Sequence, residues 1–288
     1  MTNNNDEERT LNLPQDINLP FFAYGIFKPG QLAYSKIINL VDETVNNVEI
    51  NYDMRTRDGV PILIDRKTVQ SHSIGSIITF KEDCEEKAYA YISKTLLQKL
   101  YGWKTIEIGG KRVNILFGVN PDNGSYYMES SRGNFDGKRD PLFSDAIELI
   151  EKNLNSRDSS GGMERFFNLQ MNYMLLWSAI DRYSSLKYNK RLSKWNNEQF
   201  SKEWVFIKGI KKFKDEYHQP VYSTDDLQMH KFNVNKPYET LKYYYTIRCN
   251  VVHRGKAMVS DYGLLRQATK ELLEIFKDVL NDTFGKYL

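Results

Sequence analysis

Cysteine is almost absent. Cys84 and Cys249 are the two in 288 residues, too far apart in sequence to frame a small fold stapled by disulfides. Histidine is scarce as well: His72, His218, His230 and His253 stand alone, and with two cysteines they give no C-x2-C or H-x3-H spacing. Neither a structural metal nor a cofactor is therefore expected. No run approaches the roughly 18 apolar residues of a membrane span. The polar start Met1-Thr2-Asn3-Asn4-Asn5-Asp6-Glu7-Glu8 is the opposite of a secretory leader, which points to the cytoplasm and away from a membrane. No internal repeat is found. What the chain does have is 41% hydrophobic and 13% aromatic residues, enough for the cores of two ordinary domains.

Charge divides unevenly along the chain. Residues 1 to 140 hold 17 basic and 19 acidic side chains, and the remainder holds 23 and 18, so the C-terminal part is the basic one. That surplus is compatible with phosphate binding, and equally with solvated helix faces. Lys208-Gly209-Ile210-Lys211-Lys212-Phe213-Lys214 reads in both ways: as a phosphate path, or as the polar face of a helix whose other side is Trp204, Phe206, Ile207 and Ile210.

The polar residues through about Asp16 read as a frayed end. Strands are then expected at Leu19–Tyr24, Asn47–Asp53, Ser73–Phe80 and Lys104–Ile108, with a short helix near Leu32 to Leu40. Gly109-Gly110 makes the last of those strands a hairpin returning through Arg112–Val119. A Ser, Gly, Asp and Arg-rich linker runs from about Glu129 to Asp140, where Asp140-Pro141 offers an N-cap and a first helical position. Beyond it, apolar residues recur at helical spacing from Leu142 to Ile150, Phe166 to Tyr183 and Leu264 to Val279. The expectation is an α+β chain: a small, mainly-β domain over 18–128 and an all-α bundle over 140–288.

The chemistry sits near the C-terminus. Pro237 suits a first helical position and Gly255 a left-handed C-cap, so one helix is expected from about Tyr238 to Arg254. It carries Arg248, Asn250 and His253. A histidine can exchange a proton near neutrality, and an arginine can fork onto two phosphate oxygens as charge builds on them. Asn250 and His253 are i, i+3 neighbours, whereas Arg248 lies about 140° from His253. The arginine must reach round the helix or meet a histidine from a second copy. By spacing alone, the pair is also what many helix ends carry to interact with the last carbonyls and the helix dipole. Of Tyr243, Tyr244 and Tyr245, two or more are expected to face the core rather than to stack on bases.

The longer context, Arg248-Cys249-Asn250-Val251-Val252-His253-Arg254-Gly255-Lys256, resembles the R-C-N-x-x-H-x-G-K signature of the HEPN superfamily. Phe166-Phe167-Asn168-Leu169 through Leu176-Trp177-Ser178-Ala179-Ile180-Asp181-Arg182-Tyr183 is similar to that family's earlier core helix. The resemblance covers about half the chain. It implies a metal-independent endoribonuclease that works as a homodimer, of the toxin or defence kind, with an antitoxin-like or regulatory partner. Arg248 and His253 would be catalytic with Asn250 as their polar companion, and Arg254 and Lys256 would contact RNA. Some HEPN domains only bind.

Phe22-Ala23-Tyr24-Gly25-Ile26-Phe27-Lys28-Pro29-Gly30 resembles the Y-G-[ST]-L-K-x-G turn of gamma-glutamylcyclotransferase-like (AIG2-like) proteins. Gly59-Val60-Pro61-Ile62-Leu63, Ile74-Gly75-Ser76-Ile77 and Tyr101-Gly102-Trp103 follow in the family's order. The resemblance implies a small barrel whose turn at Tyr24, Gly25 and Ile26 binds a ligand. The family's catalytic glutamate has no counterpart, because no acidic residue occurs from Lys87 through Ile106 and the nearest candidates are Leu97 and Gln98. Glu85 or Glu86 would substitute only through a different loop. Ile26 also replaces the turn's small hydroxyl residue. Loss of cyclotransferase activity is expected, leaving a domain that binds a small ligand, RNA or protein, or braces a dimer. A non-catalytic binding protein is the second reading of the whole chain, and a cyclotransferase-like enzyme with a helical accessory domain the third.

Overall fold

The computed structural model describes residues 11–57, 60–65, 72–96, 100–120, 125–127, 133–156, 162–188, 194–223, 227–254 and 261–285; the side chains of residues 57, 125–127, 194–197, 253 and 254 are outside that description. The chain divides into two compact units, the first running to Gly137 and the second beginning at Lys138.

In the first unit the strands are β1 (Phe21–Ala23), β2 (Val41–Ile50), β3 (Met54–Arg57), β4 (Val60–Leu63), β5 (Ser73–Phe80), β6 (Tyr101–Ile108), β7 (Lys111–Gly118) and β8 (Ser125–Tyr127). They are joined by the helices α1 (Tyr34–Ile37) and α2 (Glu85–Thr95). Five strands form one mixed sheet in the order β2-β5-β1-β7-β6, and β4-β3-β8 form a second. The expected barrel is not what the described strands build: both sheets are open, with β2 and β6 at the edges of the larger one. The continuous apolar run Phe21-Phe22-Ala23 belongs at the centre, antiparallel to β5 and parallel to β7, because all three residues are buried. Edge strand β2 begins six residues before the expected Asn47. Its exposed Asp42, Glu43 and Asn46 show no apolar alternation to mark it.

Helix α2 closes the sheet through Tyr89. The ring meets Phe21, Phe80 and Trp103 edge-on at 6.3, 5.3 and 5.4 Å, and its hydroxyl donates to the Leu19 carbonyl at 2.6 Å. Such a buried aromatic contributes about 1.5–3 kcal/mol from burial alone. The β6–β7 hairpin turns at Gly109 and Gly110, with φ of 55° and 80°, the pair of left-handed residues that a two-residue turn needs.

The second unit consists of α3 (Asp145–Asn155), α4 (Gly162–Tyr188), α5 (Lys194–Ser201), α6 (Trp204–Ile210), a hairpin of β9 (Val221–Tyr222) and β10 (Met229–His230), α7 (Pro237–Arg254) and α8 (Tyr262–Gly285). The expectation of an all-α unit is corrected by that hairpin. Helix α3 starts at Asp145 rather than at Pro141. The Asp140 carboxylate is used in a turn, accepting from the Leu142 N–H at 3.0 Å and from Arg182 Nε at 3.0 Å. The core is aromatic: Tyr183 of α4 lies 5.9 Å from Phe200 and 5.8 Å from Phe276 of α8, both edge-on. Helices α4 and α6 both pack on α8.

Candidate functional site

Helix α7 begins where Thr240 folds back on the preceding loop, its hydroxyl donating to the Asn233 carbonyl at 2.7 Å and accepting from the Asn233 N–H. From there the helix has two faces. Leu241, Tyr243, Tyr244, Ile247 and Asn250 are buried, while Lys242, Tyr245, Arg248 and Cys249 are half-buried and Val252 is exposed. Of the tyrosine triplet, two members therefore face the core and Tyr245 stands at its margin.

Arg248 is on the outer face. Its guanidinium carbon lies 5.5 Å from the centre of the Tyr245 ring, one turn back, and Tyr245 in turn meets buried Trp177 of α4 edge-on at 5.5 Å. The Arg248 Nε is buried and has no hydrogen-bond partner among the described residues. Leaving a charged donor unsatisfied out of water costs about 1–3 kcal/mol or more. The arginine is thus packed on an aromatic platform with bonding capacity unspent. Burial raises the Tyr245 pKa, as does Cys249, while Arg248 pulls it down. The phenol stays neutral, and the guanidinium packs on the ring face.

Asn250 is elsewhere. It is 8% exposed, and its Nδ2 donates to the Tyr222 carbonyl at 2.8 Å, tying β9 to α7. Positions 248 and 250 are about 200° apart on a helix, so the structure does not bring Arg248 and Asn250 to one place. The backbone of α7 continues through His253 and Arg254. The side chains of these two, and Lys256 with Gly255, lie outside the described residues. Five residues turn the helix through about 140°, so positions 248 and 253 open to different sides of α7.

A second polar centre, which sequence reading missed, lies behind the tyrosines. The His218 side chain is 1% exposed, stacked on Phe232 at 3.7 Å and 6°, with Nε2 2.8 Å from Glu271 and Nδ1 2.8 Å from the Lys214 carbonyl. Tyr244 and Gln267 also donate to Glu271. A lone histidine judged only against zinc spacing gives no sign of this arrangement, because its partners are remote in sequence.

In the first unit, Tyr24 is 3% exposed and its hydroxyl makes no hydrogen bond of good geometry. Burial pushes its pKa up, tempered by the backbone at Leu63. A Cβ at Gly25 would come 2.8 Å from the Pro61 Cγ, so the turn packs tightly on β4. Ile26 is buried in the core and its carbonyl accepts from the Ala33 N–H. The Lys28 and Gln31 amides are likewise bonded inside the turn. The turn also holds its own chain: Lys28 Nζ donates to Asn134 Oδ1 and to the Phe135 carbonyl, and Gln31 Oε1 accepts from the Gly137 N–H. Burial lowers the Lys28 pKa against the opposing pull of Asp136. Glu85 and Glu86 sit in the first turn of α2, half-buried and exposed, and Leu97 and Gln98 lie outside the described residues.

Compared with protein-family models, with curated proteins and with solved structures, the chain finds no match.

Proposed function

We propose that the second unit is a HEPN-type endoribonuclease, cutting RNA without a metal by in-line attack of the substrate's own 2′-hydroxyl. The observation that carries this reading is Arg248: a guanidinium set on the Tyr245 ring with a buried, unbonded Nε–H, beside the R-C-N-x-x-H-x-G-K resemblance. Such a donor is completed by an anion that forks onto it, and a phosphodiester supplies two oxygens in one plane. His253 removes the 2′-hydroxyl proton as the oxygen attacks phosphorus. The P–O5′ bond breaks, and the proton passes to the leaving 5′-oxygen. Products are a 2′,3′-cyclic phosphate and a 5′-hydroxyl. Arg248 offsets the charge gathering on the non-bridging oxygens.

Because positions 248 and 253 open to different sides of α7, the site is assembled in a homodimer, with arginine from one copy and histidine from the other. In this reading the first unit is a cyclotransferase-like scaffold that has a regulatory or target-contacting role, and a toxin or defence setting with an antitoxin-like partner suits the whole. The alternative, a non-catalytic RNA-binding protein, is favoured by one observation: Asn250, the pair's expected companion, is spent on the Tyr222 carbonyl.

Incubation of total RNA with the protein in EDTA tests the proposal. Cyclic-phosphate ends should form, DNA should be left intact, and His253→Ala should cost about 100-fold or more in rate. Arg248→Lys should also be poor, since an ammonium lacks the fork. Mixing Arg248→Ala with His253→Ala chains should restore part of the activity if the site is shared. Cleavage that needs magnesium, or that both single variants retain, refutes the proposal.

A further inference from the structure

The two ends of the β9–β10 hairpin meet in one stack. His218 precedes β9 and Phe232 follows β10, and their rings lie face to face at 3.7 Å and 6°. A second tie closes the same base: Asp215 Oδ1 accepts from the Val234 N–H at 2.8 Å. Beyond that base the hairpin is thinly held. Of its strand residues Val221 alone is buried, and the chain entering β10 carries Leu227, 78% exposed, in a left-handed backbone at φ 56°. A bulky side chain takes that conformation at a cost, and short elements with little buried surface open before the rest of a fold.

What the hairpin holds is Asn250. Its side-chain amide donates to the Tyr222 carbonyl at 2.8 Å, so the polar group that stands i, i+3 from His253 is turned to β9. The latch on this strap is the imidazole. Its Nδ1 is 2.8 Å from the Lys214 carbonyl, which can only accept, and its Nε2 is 2.8 Å from Glu271 of α8, so both nitrogens donate and the ring is an imidazolium. Around it stand Glu271 from α8, Tyr243 and Tyr244 from α7, and Asp215 from its own segment. Both phenols stay neutral, because burial and then Glu271 drive their pKa up. Burial opposes the imidazolium, yet Glu271, the Lys214 carbonyl and Asp215 raise its pKa on balance, so its proton leaves above the ordinary 6.5. Once it leaves, one of the two acceptors faces a bare nitrogen lone pair.

We infer that the β9–β10 hairpin is an autoinhibitory strap: latched by the charged His218–Glu271 pair it keeps Asn250 from the cleavage site, and loss of the latch proton lets it lift and release that amide. What Asn250 then serves rests on the ribonuclease reading; the lifting does not. A group whose folded pKa is raised holds its element below the unfolded value, about 6.5, and lets go as pH climbs to the folded one, by at most about tenfold in opening per pH unit. Amide hydrogen exchange of the full chain, corrected for the intrinsic rates and run from mildly acidic to alkaline pH, reads this without RNA. The hairpin amides, with Ser223 and Leu227 bonded across the turn, should lose protection through that window, while the α8 core at Leu272 and Phe276 exchanges about tenfold more slowly or less. His218→Gln cannot titrate and should flatten the dependence. Leu227→Gly, at an exposed position, relaxes the left-handed backbone and should raise hairpin protection about threefold with the fold intact. With RNA in EDTA at mildly acidic pH, where the parent is latched, His218→Gln should cut severalfold faster than the parent and Leu227→Gly more slowly.

Hairpin protection that ignores pH, or that depends on it equally in His218→Gln, would overturn the inference. A hairpin that opens only together with α8 would overturn it as well. RNA cutting that is equal in the parent and both variants at every pH leaves the ribonuclease standing and removes the autoinhibition; latch-dependent opening without any cutting does the reverse, keeping the strap and removing the ribonuclease.

Discussion

The His218 centre predicts a stability that falls as pH rises. The Lys214 carbonyl can only accept, so Nδ1 must donate to it. Glu271 receives Tyr244 and Gln267, the arrangement of an ionised carboxylate, so Nε2 must donate too. Both ring nitrogens carrying protons means an imidazolium. Burial works against that charge, but the hydrogen bond and the charge of Glu271 outweigh it, with the Lys214 carbonyl and Asp215 adding to them, and the net pKa is raised. Tyr244, whose own pKa is driven far up by burial and then by Glu271, stays a donor throughout. A group whose pKa is higher folded than unfolded stabilises fully below its unfolded value, about 6.5, and the stabilisation is lost as pH climbs through the folded value. Removing the ring in His218→Ala forfeits a charge-assisted hydrogen bond, about 1.5–3 kcal/mol, and a stacked contact on Phe232 of about 0.5–1.5 kcal/mol. Glu271 keeps two donors, so it is not orphaned. The sum, about 2–4.5 kcal/mol, corresponds to roughly 4–18 °C in the melting of a unit this size. Calorimetry of parent and variant from mildly acidic to alkaline pH reads it directly. The gap should be widest at the acidic end and narrow upward; a gap independent of pH, or one that widens upward, refutes the doubly protonated ring.

Other outcomes follow from single positions. Gly133 has φ of 73°, and a Cβ there would stand 1.9 Å from the His72 carbonyl oxygen, so Gly133→Ala should cost about 2–4 kcal/mol, seen as a lowered melting temperature. Asn250→Ala leaves the Tyr222 carbonyl without its donor. It should cost about 1–3 kcal/mol and speed proteolysis within the β9–β10 hairpin, and unchanged proteolysis would mean the hairpin is held otherwise. The first unit should not release 5-oxoproline from gamma-glutamyl compounds. Turnover lost on Glu86→Gln would show that α2 supplies the acid the sequence was read to lack.

Legibility in the sequence tracked how local the cause of each element is. Ser73–Phe80 announces itself by its apolar run, Gly109-Gly110 by the turn it demands, α7 by Pro237 at its first position, and α8 by its periodicity. Helix α2 went unread because four of its residues are buried and its anchor, Tyr89, is held by Leu19, Asn114 and the sheet, all distant in sequence. The β9–β10 hairpin has two residues per strand and no pattern of its own. Its strands pack on α7, where Asn250 ties β9 to the helix. Asp140-Pro141 carries a helix-start signature, yet Arg182, some forty residues on, draws the carboxylate into a turn. In the site, the motif marks Arg248 but not what presents it: Trp177 is invisible as a partner until α4 lies beside α7.

Helix α7 has two faces, and its sequence divides accordingly. The inner face spends Tyr243, Tyr244, Ile247 and Asn250 on the core, on Glu271 and on the hairpin. The outer face keeps Tyr245 and Arg248 together, with the arginine's guanidinium against the ring. Among the described residues the Arg248 Nε has no hydrogen-bond partner, and the Tyr245 ring is what its guanidinium packs against. If Arg248 takes a phosphate as proposed, Tyr245→Phe, which keeps the ring, should retain RNA cleavage and Tyr245→Ala should lose most of it, as read by the cyclic-phosphate assay; equal loss in both variants would refute the ring's part.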